Sequence, residues 1–265
     1  MQYLHGKNVS IALNDAILSR SIDDKISICN AMIALLNENI WPERFARNIG
    51  LWSAKDQAKL LNSKVFILGC GGLGGYVSSF LARSGIGALK LVDHDIFEIT
   101  NINRQLLCNE KTIGQYKASC LKQSLLEIGS YLDVEDICEM ATIDNLPFLI
   151  DGCDIVLDCL DNLPDRFILE KISIDKQIPF VHGSVLLDEG FCFVNNGKTL
   201  RLPKLYPNLN NDNLEKMSIN PIIPPAIASI MVKMAIKTIL SPNFVSDTIY
   251  HLDLSSMDLD HFKWS

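Results

Sequence analysis

A glycine-rich segment follows a short apolar run and could bind phosphate groups. In the run GCGGLGG, Gly69, Gly71 and Gly74 have the spacing GxGxxG. Such glycines let backbone N–H groups approach a polyphosphate, and the N-terminus of the following helix favours negative charge. Asp93, about 20 positions later, could accept hydrogen bonds from ribose hydroxyls. The pattern predicts a nucleotide site, although it does not distinguish NAD from ATP.

A polar stretch after Asp93, LVDHDIFEITNINRQLLCNEKTIGQYK, favours ATP. An enzyme that joins AMP to a carboxylate needs cations around the triphosphate, because the α-phosphorus must accept the carboxylate while pyrophosphate leaves. Arg104 and Lys117 could supply that charge. A dehydrogenase needs a nicotinamide site and a proton donor instead. Each cation alone also fits an ordinary solvated side chain, so an NAD-dependent oxidoreductase remains an alternative.

Alternating strands and helices position these residues. The apolar run Lys64–Gly69, a helix over Tyr76–Ser84 and the apolar run ALKLVD form a βαβ unit, which requires a parallel pair with a right-handed crossover. Further strands are predicted over Leu132–Ile137, Asp154–Cys159 and Pro179–Gly183, and helices over Ala118–Ile128 and Pro164–Lys176. The fold class is therefore α/β, with a Rossmann-like doubly wound, mostly parallel sheet.

The two ends of the chain depart from this alternation. An N-terminal helical segment is predicted over Asp23–Asn37 with Ser21 as its N-cap, and a second helix over Ser53–Leu61. Beyond Gly183 we predict an antiparallel C-terminal extension. It consists of a strand at GFCFVN, a long polar loop over Asn195–Pro224, a core helix over Ala226–Leu240, and a hairpin made of TIYHLDL and DHFKW.

Composition excludes several classes of partner. The formal net charge is -7 and the pI is near 5.2, so neither nucleic acid nor an acidic membrane surface is expected as a partner. The start of the chain, MQYLHGKNVSIALND, lacks the pattern of a signal peptide. The eight cysteines include no CxxC pair, which fits reduced thiols. We therefore expect a cytoplasmic protein.

Five motifs, GCGGLGGYVSSFLARSGIG, LVDHD, NINRQ, GQYK and DCLDN, follow one another along the chain. With them the sequence resembles the ThiF/MoeB/HesA family of adenylyltransferases, which are related to the adenylation domains of ubiquitin-activating enzymes. The resemblance runs from about Pro42 to the C-terminus and is strongest between Arg44 and Gly183. It implies an ATP-binding adenylation domain at residues 41–265 and an N-terminal helical extension at residues 1–40.

The resemblance also implies a nucleotide site. Its matching positions are Gly69, Gly71, Gly72 and Gly74 in the phosphate loop, Asp93 for ribose with Asp95 nearby, and Asn101, Arg104, Gln105, Lys117 and Asn162. Asp161 matches the aspartate that helps to place magnesium, and one carboxylate with ATP phosphates is a sensible shell for this ion. A capping or turn role for Asp161 is the alternative. His182 could line the site or be structural.

A further element, ERFARNIG, looks like the family's RYxRQ, although Asn48 stands where glutamine is usual. The match implies that Arg47 reaches the ATP of a homodimer partner and that Arg44 is structural. The catalytic set is then Arg47, Arg104, Lys117 and Asp161. The alternative for Arg47 is a solvated arginine on a linker.

Two departures from the family matter. Many relatives bind zinc through two CxxC pairs, which this chain lacks, so we predict no zinc. Relatives that form a thioester carry a cysteine before the last long helix, where this chain has Met217, and methionine cannot act as a thiolate nucleophile. We therefore expect adenylation without an enzyme-bound thioester, and a separate sulfur donor.

The resemblance implies ATP, Mg²⁺ and a small ubiquitin-fold sulfur-carrier protein with a Gly-Gly tail, of the ThiS/MoaD type. The carrier would be activated as an acyl-adenylate. The motifs do not identify the pathway. It could be the synthesis of thiamine, of molybdopterin or tungstopterin, or of cysteine, or the modification of tRNA or of peptides. Besides the oxidoreductase, a non-catalytic family member that acts as a binding module is an alternative.

Overall fold

An eight-stranded sheet organises the chain in a computed structural model, which describes residues 10–12, 27–207, 218–241, 244 and 246–264. Its strands are β3 (Lys64–Leu68), β4 (Ala88–Val92), β5 (Asp133–Ile137), β6 (Ile155–Asp158), β7 (Phe180–Leu186), β8 (Glu189–Asn195), β9 (Thr248–Asp253) and β10 (Asp258–Lys263). Their spatial order is β10-β9-β8-β7-β6-β3-β4-β5. The pairs from β7 to β5 are parallel, and those from β7 to β10 are antiparallel. This confirms the predicted fold class.

Helices cover both faces of the sheet. They are α1 (Ile28–Asn37), α2 (Ala54–Leu61), α3 (Gly72–Ser84), α4 (Lys117–Ile128), α5 (Leu146–Leu149), α6 (Leu163–Asp175), α7 (Leu202–Leu205) and α8 (Ile223–Leu240). Helix α3 begins four residues before the predicted Tyr76, because the second half of the glycine segment is already helical. The predicted strand and helix order is otherwise confirmed, with shifts of a few residues at the ends.

The central parallel strands β3, β4 and β6 are buried on both sides, as strands between two helical layers must be. Val65 and Ile67 belong to the core under α3 and α8, while Phe66 and Leu68 belong to the opposite core, which includes Leu169 of α6. Because these strands are parallel, the carboxyl ends of β3, β4, β6 and β7 meet at one edge of the sheet.

The N-terminal segment packs on this domain. Helix α1 begins after Ser27, whose side chain accepts a hydrogen bond from the Asn30 N–H at 3.2 Å. The predicted start at Asp23 and the predicted cap Ser21 lie outside the described residues. Met32 and Leu36 of α1 are buried in the core that contains α3. A short strand β1 (Ser10–Ala12) pairs in parallel with β2 (Ile40–Pro42). The boundary near residue 40 stays a prediction.

The C-terminal part contains the predicted antiparallel strand and hairpin, β8 and β9–β10. The long loop includes the short helix α7, whereas residues 208–217, among them Met217, lie outside the described residues. Helix α8 is long and apolar enough to cross a membrane by length and composition alone, but 61% of it is buried inside the fold. That burial is expected of a core helix.

Candidate nucleotide site

The glycine turn between β3 and α3 has no room for side chains at two positions. Gly69 has φ +92°, and a Cβ there would lie 2.6 Å from the Cys159 carbonyl oxygen. A Cβ on Gly74 would lie 1.9 Å from the Gly69 oxygen. Gly71, the N-cap of α3, makes no side-chain cap, so first-turn N–H groups remain available to an anion.

A cavity of about 370 Å³ opens at the carboxyl ends of the strands. It brings together ten of the thirteen predicted site residues: Gly69, Gly71, Gly72, Asp93, Asp95, Arg104, Gln105, Lys117, Asp161 and Asn162. Arg47, Gly74 and Asn101 are not among its lining residues. Gly74 instead permits the close contact between α3 and the turn.

Asp93 is fixed at the end of β4 by backbone donors. One carboxylate oxygen accepts the Cys70 N–H at 2.6 Å and the other accepts the Asp95 N–H at 2.8 Å. Burial raises the pKa of the Asp93 carboxyl above its usual value, although these two hydrogen bonds oppose the rise. The carboxylate connects the glycine turn to the next strand and lines the cavity, as a ribose-binding acid would.

Lys117 lies at the first turn of α4, where the helix dipole disfavours a cation. Its side chain is 9% exposed, and its ammonium group donates to Asp95 Oδ2 at 2.8 Å. An ammonium group has three donors, and this is its one hydrogen bond among the described residues. A phosphate group in the cavity would therefore find both charge and free donors at Lys117.

Asn101 stabilises the turn that carries Arg104 and Gln105. Its side-chain oxygen accepts the Glu98 N–H at 3.0 Å, and its backbone carbonyl accepts from the N–H groups of Arg104 and Gln105. Arg104 donates to the Thr100 carbonyl at 2.9 Å. The buried Gln105 amide oxygen has no hydrogen-bond partner within the described part of the chain. Arg104 and Gln105 thus face the cavity, whereas Asn101 supports them from behind.

Asp161 and Asn162 have different roles at the start of α6. Asn162 is the N-cap and accepts the Asp165 N–H at 3.1 Å. The exposed Asp161 carboxylate has no hydrogen bond or ion pair within the described residues, so it is not the helix cap. Among the described residues, the one cluster of three close metal ligands is Asp93, His94 and Asp95. A single carboxylate nevertheless suits Mg²⁺, which keeps waters and takes ligands from phosphates.

The two arginines of ERFARNIG lie away from the cavity. Arg47 is exposed at the end of a 3-10 helix, Glu43–Asn48. Arg44 packs its guanidinium over the Tyr131 ring at 4.8 Å from the centroid, a cation–π contact. Arg44 therefore has a structural contact, and Arg47 does not approach the nucleotide site of its own chain.

Sequence reasoning named His182 but missed the buried polar network around it, beside the glycine turn. His182 is fully buried and does not line the cavity, which agrees with the structural alternative. Asp158, Arg166 and His182 are almost fully buried, and Ser184 and Tyr206 connect them to the cavity. Arg166 donates to the Gly183 carbonyl at 2.9 Å and also to the Leu160 carbonyl. One signal was available, since Asp158 and His182 each stand near the end of a predicted apolar strand, Asp154–Cys159 and Pro179–Gly183. Their pairing in register is seen only in the structure. Tyr206 lies in an irregular segment and gave no such signal.

The cysteines of this region are poor nucleophiles. Cys159 lines the cavity, and burial raises its pKa well above the usual value, as it does for Cys70. Burial raises the pKa of Cys192 to about 12. Because the thiolate is the reactive form, these three thiols are inert near neutral pH.

Comparisons with known proteins agree with this geometry. The ThiF family profile matches residues 45–265. The chain is 36% identical over 164 residues to the adenylyltransferase and sulfurtransferase MOCS3 of Drosophila yakuba, covering 61% of this chain and 36% of that protein. It is 31% identical over 192 residues to the adenylyltransferase and sulfurtransferase UBA4 of Lodderomyces elongisporus, covering 71% of this chain and 42% of that protein. The chain thus spans less than half of these relatives.

Solved structures show the same fold. A crystal structure of E. coli MccB with AMPCPP and MccA has a TM-score of 0.72 and 24% identity, covering 94% of this chain and 81% of that chain. A structure of PaaA has a TM-score of 0.70 and 22% identity, covering 94% and 85%. At this identity the likeness concerns the architecture, and it confirms the Rossmann-like doubly wound sheet.

Proposed function

Because this chain belongs to the ThiF family, we propose that it is an ATP-dependent adenylyltransferase acting on a small ubiquitin-fold sulfur carrier of the ThiS/MoaD type. A C-terminal carboxylate oxygen of the carrier bonds to the α-phosphorus of ATP, and the bond to the bridging oxygen breaks. The products are an acyl-adenylate and pyrophosphate. The observation that supports this is the convergence of the glycine turn, Arg104, Lys117 and Asp161 on one cavity.

Each side chain has a defined part in this proposal. The N–H groups at the start of α3 bind phosphate oxygens, and Lys117 and Arg104 stabilise the charge that develops on the departing pyrophosphate. Asp93 accepts hydrogen bonds from the ribose hydroxyls. Asp161 would hold Mg²⁺, which neutralises phosphate charge when bound. The unpartnered Gln105 oxygen is available to a donor on the ligand.

The proposal includes no enzyme-bound thioester. Cys159, which lines the cavity, is buried with a raised pKa, so it is unsuited to attack the adenylate. A separate sulfur donor would receive the activated carrier. We also propose a cytoplasmic homodimer in which Arg47 completes the site of the other protomer. The curated relatives are named as adenylyltransferases, which favours this function over the oxidoreductase and the binding module.

ATP–pyrophosphate exchange tests the proposed activity directly. Purified full-length chain is mixed with MgATP, labelled pyrophosphate and one of several ubiquitin-fold carriers that end in Gly-Gly. We expect exchange that requires a carrier with a free C-terminal carboxylate. Arg104→Ala and Asp161→Asn should each lower the rate by about 100-fold, since each removes a charge next to the reacting phosphates.

Matched variants control for nonspecific charge effects. Arg83→Ala removes an exposed cation in the last turn of α3, and Asp175→Asn removes an exposed carboxylate at the end of α6. Both lie at the helix ends remote from the cavity and should keep the wild-type rate. Wild-type protein that gave no exchange with any carrier, or variants of Arg104 and Asp161 that kept full exchange, would contradict the proposal.

A further inference from the structure

Four polar side chains form a continuous hydrogen-bonded series from the core to the cavity. His182 Nδ1 lies 2.7 Å from Asp158 Oδ2, and His182 Nε2 lies 3.0 Å from the Tyr206 hydroxyl. The Tyr206 hydroxyl lies 2.8 Å from Ser184 Oγ. Ser184 and Tyr206 line the cavity, whereas Asp158 and His182 are fully buried.

The buried end fixes the tautomer of the histidine. An ionised carboxylate only accepts hydrogen bonds, so His182 Nδ1 must carry the hydrogen in its contact with Asp158. The Arg166 guanidinium, which only donates, lies 3.2 Å from Nδ1 and 3.4 Å from Nε2. At Nδ1 the contact with Asp158 is the shorter one at 2.7 Å, so Nδ1 donates to the carboxylate and Nε2 is the nitrogen left to accept. Burial lowers the pKa of His182, and the Arg166 charge acts in the same direction. The ring is therefore neutral, with an unprotonated Nε2 that accepts.

This tautomer gives the series a direction. Nε2 has no hydrogen, so the Tyr206 hydroxyl donates its single hydrogen to Nε2. The contact between Tyr206 and Ser184 then requires Ser184 to donate. The Ser184 hydroxyl has no other hydrogen-bond partner within the described residues. Its hydrogen is thereby committed to Tyr206, and only its lone pairs remain for a ligand.

Resting on the proposed function, we infer that Ser184 accepts a hydrogen bond from a peptide N–H in the tail of the substrate. Ser184 lies on β7 opposite Phe191 of β8, and both residues line the cavity. A carboxylate oxygen at this position would face lone pairs without a hydrogen between them, which is repulsive. A peptide N–H supplies that hydrogen. The site therefore selects a peptidyl carboxylate over a small carboxylic acid that lacks an N–H.

The direction of the series can be measured without any substrate. Protein labelled with ¹⁵N-histidine is studied by long-range ¹H–¹⁵N correlation at pH 7, and His182 is assigned by comparison with His182→Gln. We expect a protonated Nδ1 and an unprotonated Nε2. The opposite tautomer, or a doubly protonated ring, would reverse the direction and overturn the inference, whether or not the protein is an adenylyltransferase.

The ligand contact is tested with semisynthetic carriers that end in Gly-Gly. In two matched carriers, the last or the preceding amide is replaced by an ester, which removes one N–H and keeps the reacting carboxylate. With wild-type protein, one ester should raise the KM for the carrier in pyrophosphate exchange about fivefold, as expected for a lost neutral hydrogen bond. The KM for ATP should stay unchanged.

The serine variants complete this test. Ser184→Ala should reduce the ratio of ester to amide KM to about one, because the acceptor is gone. Ser84→Ala removes a hydroxyl bonded to the Phe80 carbonyl at the far end of α3, and it should keep the wild-type ratio. Equal KM values for the amide carrier and both ester carriers would overturn this inference and leave the proposed function intact. Exchange that is absent for every amide carrier counts against the proposed function itself.

Discussion

His182 is a titratable side chain in a place that water does not reach. Its ring is fully buried, between the Asp158 carboxylate, the Arg166 guanidinium and the Tyr206 hydroxyl. Burial lowers the pKa of His182 below the ordinary value of 6.5, although Asp158 opposes this shift. In the unfolded chain the same ring binds a proton more readily. Folding is therefore linked to the release of a proton from His182 at mildly acidic pH.

The sign of this linkage predicts how stability changes with pH. Above pH 6.5 the ring is neutral in both states, so its contribution is complete, and it is lost as pH falls below that value. One proton changes the free energy of unfolding by at most about 1.4 kcal/mol per pH unit. Urea unfolding of wild type and His182→Gln between pH 7 and pH 5 should show a shallower decline for the variant.

A control separates this effect from general acid destabilisation. His261 is exposed on β10, and His261→Gln should show the same decline as wild type. The variant His182→Gln is expected to be less stable at pH 7, since it loses the hydrogen bonds of the ring. The test therefore compares how steeply the free energy of unfolding falls with pH, not its value at pH 7. Equal slopes for wild type and His182→Gln would mean that the ring is not held neutral in the folded protein.

At the scale of elements, the short helix α7 depends on one buried carboxylate from α6. Glu170 Oε1 accepts from Asn195 Nδ2 at 2.7 Å and from the Arg201 N–H at 2.9 Å, and Oε2 accepts from the Leu202 N–H at 3.0 Å. These bonds tie the end of β8 and the start of α7 to α6. Since Tyr206 directly follows α7, the same carboxylate positions the Tyr206 hydroxyl at the cavity.

Glu170→Gln should loosen this segment. A glutamine has the same shape, but its NH₂ group would face at least one of the three N–H donors, so one or more hydrogen bonds are lost. We expect a loss of about 1–3 kcal/mol in the free energy of unfolding. Hydrogen exchange of residues 202–206 should accelerate more than that of β3. Exchange that stayed unchanged in α7 would show that Glu170 does not anchor it.

The order of the elements could be predicted from the sequence because the central strands β3, β4 and β6 are apolar runs that adjoin glycine or acidic residues. Runs such as Lys64–Leu68 are buried on both faces, so their composition alone identifies them. The first residue of α3 could not be predicted from composition. Glycine is compatible with a turn and with the first turn of a helix, and only tertiary packing decides between them.

The residues proposed to contact the nucleotide were easier to predict from the sequence than the hydrogen-bonded series from Asp158 to Ser184. Asp93, Arg104 and Lys117 come from segments that directly follow strands or turns, so their convergence could be expected. The series from Asp158 to Ser184 depends on the register between β6 and β7 and on the irregular backbone at Tyr206. Neither is encoded in a local pattern. Gly74 and Asn101 show a further limit, because the sequence does not separate a supporting role from ligand contact.

At the scale of the whole molecule, the position of Arg47 matters most. Its side chain is exposed and lies outside the cavity of its own chain, on a segment joined to the domain core through the buried Phe45. If Arg47 serves catalysis, it must do so in another protomer. A twofold symmetric dimer would then carry two shared sites, each with Asp161 from one chain and Arg47 from the other.

Mixing two inactive variants tests this arrangement. In a mixed dimer of Arg47→Ala and Asp161→Asn, one site combines both intact residues and the other combines both substitutions. Random reassembly of equal amounts should therefore restore about a quarter of wild-type pyrophosphate exchange, although each variant alone is nearly inactive. The variant Lys55→Ala, which removes an exposed cation of α2, should be fully active alone. If Arg47 acted within its own chain, the mixed dimer would contain no intact site, and mixing would restore nothing.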